Sequence, residues 1–133
     1  MKFRLADLDK PIIIVKAKVN GKGPFNFAVD TGASVTVISK QTAEKLGISE
    51  NPSTPKKGHC CGGEIDMSPI TVKSVQVGDV EAKNIPAALM DLSTISKCVG
   101  TDLEGIIGHS FMKDYRVVID YPNNVISFEK PQA

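Results

Sequence analysis

Phe25-Asn26-Phe27-Ala28-Val29-Asp30-Thr31-Gly32-Ala33-Ser34 decides how the rest of the chain is read. Apolar side chains at Phe25, Phe27 and Val29 recur every second residue, the period of a strand with one buried face. Asp30 falls on the face opposite those three. The run breaks at Thr31-Gly32, where a residue without a side chain lets another backbone or a ligand approach. Val35-Thr36-Val37-Ile38 then resumes a strand. A carboxylate at the tip of a turn between two buried strands needs hydrogen bonds or a task, because an unpaired buried charge is costly. Taken alone, the triplet Asp30-Thr31-Gly32 fits a plain surface turn whose carboxylate caps its own loop.

Upstream, Ile12 to Val19 reads as a strand, and the Asn20-Gly21 pair predicts a tight hairpin into the central stretch. Downstream, Ser39 is placed to cap a short helix over residues 40–46, with Ala43 and Leu46 on one face and Gly47 ending it. Residues 50–58 read as a loop or irregular edge strand, and 59–64 as a compact glycine-flanked turn. Strands follow at 65–67, 70–77 and 80–90, the last two joined by a Gly78-Asp79 turn. Ile70 and Val72 share one phase while Val75 and Val77 share the other, which predicts a bulge near Ser74. Residues 91–104 read as polar and irregular. Residues 116–121 and 125–128 form a last hairpin around Pro122-Asn123-Asn124. Many short strands, frequent turns and one or two short helices predict an all-β, barrel-like fold over one domain, residues 1–133.

Composition narrows the function. With 41% hydrophobic residues the chain holds enough apolar side chains for a core. A net charge of +1 gives no electrostatic case for nucleic acid or an anionic membrane. No apolar run is long enough to span a bilayer, and Asp7, Asp9 and Lys10 stand where an export signal would be apolar, so a cytoplasmic setting is expected. The 3 cysteines, Cys60, Cys61 and Cys98, cannot all pair within one chain, and neighbouring cysteines bridge only with strain. Reduced thiols are expected. His59 with these cysteines lacks the two-to-four-residue spacing of a zinc site, so no metal is expected.

Asp30-Thr31-Gly32-Ala33-Ser34, with apolar residues on both sides, resembles the active-site motif of aspartic proteases. Ala33 after the glycine resembles the retroviral, retropepsin-like type. Far downstream, Gly105-Ile106-Ile107-Gly108 resembles the family's apolar-apolar-glycine strand that packs through the active-site loop, and the segment from His109 to Asp114 its short helix. The triplet is a weak signal. Triplet, apolar flanks and distant strand in this order are specific, and the resemblance covers residues 11–128.

The resemblance implies an aspartic endopeptidase with the closed β-barrel-like acid protease fold. Acid-base peptide hydrolysis needs one carboxylate to take a proton from water and a second to polarise the carbonyl. A chain with one triplet therefore implies a homodimer with an Asp30 from each subunit and a nucleophilic water between them. It implies no cofactor. Thr31 would bond to the partner's loop, the Gly32 backbone would meet the carboxylates or substrate, and Ser34 would satisfy local backbone groups. Cys60, Cys61, Gly62 and Gly63 fall where the family has its flap, a mobile hairpin over bound peptide. Two adjacent thiols there depart from the family pattern. Val35, Ile85 and Ile107 are expected to wall substrate pockets, His109 to cap the short helix or pair at the subunit interface, and Phe111, Tyr115, Tyr121 and Phe128 to pack in the core. The terminal strands are expected to join the dimer sheet. Two further readings stay open: a non-catalytic peptide-binding or interaction domain on the same fold, and a protease that processes a single partner protein.

Overall fold

The computed structural model describes residues 1–48, 56–60 and 63–131. Its first strand, β1 (Arg4–Leu5), lies antiparallel on β2 (Ile13–Val19), which returns as β3 (Lys22–Val29). The turn between β2 and β3 has Asn20 at φ 52 and Gly21 at φ 78, the two left-handed residues that a tight hairpin matched to strand twist requires. β4 (Thr36–Ser39) leads straight into α1 (Lys40–Leu46). The Thr42 amide donates to Ser39 Oγ at 3.0 Å, and Gly47 at φ 70 closes the helix. Ser39→Ala is expected to lower the unfolding free energy by about 1 kcal/mol in urea titration, because it strips a buried cap.

The long hairpins follow. β5 (Lys56–Cys60) pairs with β6 (Gly63–Val77), and β6 with β7 (Val80–Met90). β6 runs unbroken where two strands were expected. The expected bulge near Ser74 is absent as a register shift: Val72 faces Ile85 and Ser74 faces Lys83 in one continuous register. The phase still switches, since Ile70, Val72, Val75 and Val77 are all buried. Between those pairs, Lys73 and Asn84 drop out of the ladder and Asn84 takes φ 53. One irregular residue on each strand turns both faces over together and leaves the register intact.

A second correction falls at residues 91–104, where α2 (Ser93–Val99) replaces an irregular segment. Its residues are poor helix formers, and only Leu92, Ile95 and Val99 lie on one face. Burial of Leu92 and Val99 in a second hydrophobic cluster holds it, with Asp91 Oδ1 accepting the Ser93 amide at 2.9 Å. The Ser93 hydrogen bonds hold the Asp91 carboxyl below its ordinary value. β8 (Gly105–Ile107), α3 (His109–Met112) and the hairpin β9 (Arg116–Asp120) to β10 (Val125–Glu129) complete the chain. Asn123 donates to both oxygens of Asp120 in that hairpin's turn, and its side chain above all draws the Asp120 carboxyl down.

Among the described residues, eight strands join in the order β1-β2-β3-β8-β4-β7-β6-β5, β6 also pairs with β2, and β9 and β10 form a separate pair. The architecture is mostly β with a few short helices. A main core built on Phe27, Ile38, Val72, Ile107 and Phe111 fills one side of the sheet, and the smaller cluster of Ile14, Ala28, Val37, Leu92, Val99 and Leu103 the other. Phe111 and Phe128 are buried and Tyr115 packs against the core, but Tyr121 is 57% exposed, contrary to expectation. Its ring stands edge-to-face with Phe3, with centroids 6.0 Å apart.

Candidate active site

β3 and β4 are consecutive strands, yet they are not neighbours. β8 lies between them, parallel to β3 (Ala28 beside Ile106) and antiparallel to β4 (Val37 beside Ile106). Residues 30–35 must therefore arch across two strand spacings, roughly 10 Å, over the end of the inserted strand. The long-range anchors of that arch come from residues 107–110. The Asp30 amide donates to the Ile107 carbonyl at 3.0 Å and the His109 amide to the Ala33 carbonyl at 2.8 Å. The Gly108 amide donates to Thr36 Oγ1 at 3.2 Å, and the Thr36 amide to Ser110 Oγ at 2.9 Å. The Ser110 hydroxyl donates onward to the Pro86 carbonyl at 2.7 Å.

Thr36 and Ser110 were not singled out from the sequence. A threonine or serine in an apolar run carries no visible partner until the strands are brought together. Both are buried, so their hydroxyls must be satisfied internally. Ser110→Ala leaves the Thr36 amide and the Pro86 carbonyl without that partner and is expected to destabilise the protein by about 1–3 kcal/mol. Chemical denaturation checks this, with Ser110→Thr restoring most of the loss. Glu104 adds a further brace: its Oε1 accepts the Asn26 amide at 3.0 Å, and its carbonyl accepts the Ser39 amide at 3.0 Å.

On this frame the Asp30 carboxylate is exposed. Its Oδ1 accepts the Gly32 amide at 2.9 Å. That bond alone is also what a self-capping surface turn makes; the threaded strand and its clamp are what such a turn lacks. Thr31, Gly32 and Ser34 are exposed at the tip and Ala33 is half-buried. Gly105 and Gly108 are buried, Ile106 is half-buried and Ile107 lies fully in the main core. His109 is exposed and engages the loop through its amide, while Gly108 occupies the cap position of α3. Cys60 pairs with Gly63 at the end of the β5–β6 hairpin; Cys61 and Gly62 lie outside the described residues.

A cavity of about 480 Å³ opens beside Asp30. Its lining includes Ile12, Ala28, Ile95, Leu103 and Ile106, together with Val29, Thr31, Ile119 and Tyr121. Val35, Ile85 and Ile107, the walls expected from the sequence, do not border it. Strand alternation explains this. Ala28 and Asp30 share a face of β3, and the parallel register places Ile106 beside Ala28, which turns Ile107 into the opposite core.

The family model described as "Aspartyl protease" matches residues 15–111, from β2 through the threaded strand. The chain belongs to the aspartyl protease family. Among solved structures, a retropepsin-like aspartic protease from Rickettsia conorii is similar at 28% identity and a TM-score of 0.65, over 96% of this chain and 88% of that one. The retroviral protease-like domain of Ddi1 from Leishmania major is similar in fold at 19% identity and a TM-score of 0.61, over 88% of this chain and 87% of that one. No curated protein sequence matches. No helix among the described residues is long and apolar enough to cross a membrane.

Proposed function

We propose that this aspartyl protease family member is a homodimeric endopeptidase, residues 1–133 acting as one domain per subunit. The observation that carries the reading is the exposed Asp30 carboxylate, held on a loop clamped by residues 107–110 and opening onto a largely apolar cavity. One chain supplies one such acid, and acid-base hydrolysis of a peptide needs two. Two Asp30 side chains brought together across a two-fold axis would share one proton, since both cannot ionise cheaply at close range. The ionised member takes a proton from the water between them. The protonated member donates to the carbonyl oxygen as the tetrahedral intermediate forms, and the proton returned to the amine releases the products. Thr31, Gly32, Ala33 and Ser34 form the loop that positions the acid.

The hairpin of β9 and β10 supports a place for the second subunit. Among the described residues β9 has a strand partner on one edge only, and Val118 and Tyr121 stand exposed on and beside it, 42% and 57%. An open edge flanked by apolar side chains is a surface that proteins cover. The β2–β6 pairing, which returns the strand order to β2, supports the barrel reading. The segment proposed as the flap is the β5–β6 pair, where Cys60 lies opposite Gly63; Cys61 and Gly62, expected with them, lie outside the described residues.

Incubating the protein with a diverse peptide library from acidic to neutral pH, with products read by mass spectrometry and mass in solution by light scattering, tests both halves. Cleavage by a dimer is expected. A strict monomer would leave Asp30 without its partner and overturn the mechanism, and a dimer that binds but never cuts would turn the reading to a peptide-binding domain.

A further inference from the structure

The strands that end at Asp30 carry a second group of charges further along. Ile14 lies opposite Ala28 and Lys16 opposite Asn26, on the face of β3 that leads to Asp30. Val15, Ala17 and Val19 enter the main core, which turns Lys16 and Lys18 outward, and both are exposed. The same outer face continues across the next two strands. Lys18 stands opposite Gln76, Gln76 opposite Glu81, and Ser74 opposite Lys83. Lys73 adjoins Ser74, whose carbonyl accepts the Asn20 amide at 2.9 Å, and Lys22 follows Asn20 in the hairpin; both lysines are exposed. Lys16, Lys18, Lys22, Lys73 and Lys83 thereby gather on one outer surface. Its bordering carboxylates are Glu81, 3.8 Å from Lys83, Asp79 at the β6–β7 turn, and Glu104 beyond Asn26, whose Oε1 is taken by the Asn26 amide. Among the described residues no carboxylate lies within ion-pair distance of Lys18, Lys22 or Lys73. The net charge of +1 conceals this concentration.

We propose that this lysine surface is an exosite for an acidic segment of the protein substrate. The inference rests on the endopeptidase reading and narrows its substrate class. Position sets the spacing. Asn26, beside Lys16, is about 13 Å along β3 from Asp30, and Lys18 stands about 7 Å further. An extended substrate crosses that distance with about four to six residues. Chemistry sets the partner. Lysine ammoniums are point charges on flexible stems, which take carboxylates without a fixed geometry. None of the exposed side chains on this surface is aromatic, and stacking on aromatic rings is what a single-stranded nucleic acid would need. Clustered charge of one sign also speeds the encounter with an acidic protein.

The test uses the full chain and two peptides with the same scissile sequence and a neutral spacer of about five residues, one ending in a run of glutamates and the other in glutamines. At low salt the glutamate peptide is expected to show a kcat/KM about tenfold higher, what several exposed charge pairs supply together. The advantage should shrink to within about twofold in about 1 M salt, where charges are screened beyond about 3 Å. Lys18→Glu/Lys73→Glu should abolish it. Lys97→Glu/Lys113→Glu makes the same change of net charge at exposed positions on other elements and should keep it. A parallel measurement does not need catalysis: fluorescence anisotropy of labelled oligoglutamate and of oligothymidylate of equal charge. Oligoglutamate binding that Lys18→Glu/Lys73→Glu removes, without any cleavage, would uphold the acidic-segment site and overturn the endopeptidase. Equal cleavage of both peptides, still dependent on Asp30, would overturn the exosite and leave the endopeptidase standing. Tighter binding of oligothymidylate would overturn the acidic peptide as the partner. An advantage lost equally in both double variants would overturn the lysine surface as its source.

Discussion

Asp30→Asn is expected to lower kcat/KM for peptide cleavage by about 10⁴-fold, the upper range for a lost general acid or base. In the proposed homodimer the single substitution would remove both roles at once, because each subunit would supply one member of the pair. Asparagine keeps the shape of the side chain, and its Oδ1 still accepts the Gly32 amide, so the loop geometry survives. The unfolding midpoint should therefore stay nearly unchanged, which separates loss of chemistry from loss of fold. A mixing experiment sharpens the result. When wild-type and Asp30→Asn subunits exchange freely in equal amounts, activity should fall to about a quarter if both aspartates are required, and to about half if each subunit works alone. A linear dependence on the wild-type fraction would sink the shared-acid mechanism even if the variant is dead. Full activity in the pure variant would place the catalytic group elsewhere.

Gly108→Ala should produce the largest loss of stability among single methyl additions, about 3 kcal/mol or more and a melting point lower by roughly 10 °C. A Cβ at this position would stand 2.7 Å from the Val35 carbonyl carbon, closer still to its oxygen, and 3.0 Å from the Ala33 carbonyl oxygen. These are backbone atoms of the arch that carries Asp30, held by the His109 amide on the Ala33 carbonyl and by the Gly108 amide on Thr36 Oγ1 next to Val35. They cannot rotate aside as a side chain would. The collision should open the arch, so activity should vanish at temperatures where residual structure persists. Gly105→Ala collides instead with the ring of Phe27, 2.7 Å from Cε1 and nearer to Cζ, in the fully buried core. The comparison is Gly47→Ala, where the space is open and only the left-handed φ of +70 opposes the change. That substitution should cost about 1 kcal/mol and leave the site intact. Equal losses at positions 47 and 108 would mean that the arch does not depend on the close approach at Gly108.

Much of this was legible along the chain, where the interactions are local. The Asn20-Gly21 hairpin, the Ser39 cap and Gly47 stop of α1, the strand of residues 80–90 and the last hairpin are each encoded within a few neighbouring residues. So was the central strand ending at Asp30. The sequence pattern failed where tertiary contacts override local preference. α2 has weak propensity and forms because Leu92 and Val99 have a cluster to enter. β6 and β7 reverse their buried faces through two irregular residues, one on each strand, which a single-strand period reads as a bulge.

For the site, the sequence by itself determined the acid, its glycine and the distant strand that must meet them. Only the tertiary structure decided which residues brace the arch and which wall the cavity. Thr36, Glu104 and Ser110 acquire partners through pairings between β3, β8 and β4, separated by some 70 residues of chain. The choice of Ile106 over Ile107 as the residue facing Asp30 rests on a parallel register with no local signature. Ile95 reaches the cavity because a helix of poor formers is held there by burial. Hydrogen bonds within a turn are written in adjacent residues, whereas strand register and packing come from the assembled sheet, and the walls of this site are made of those.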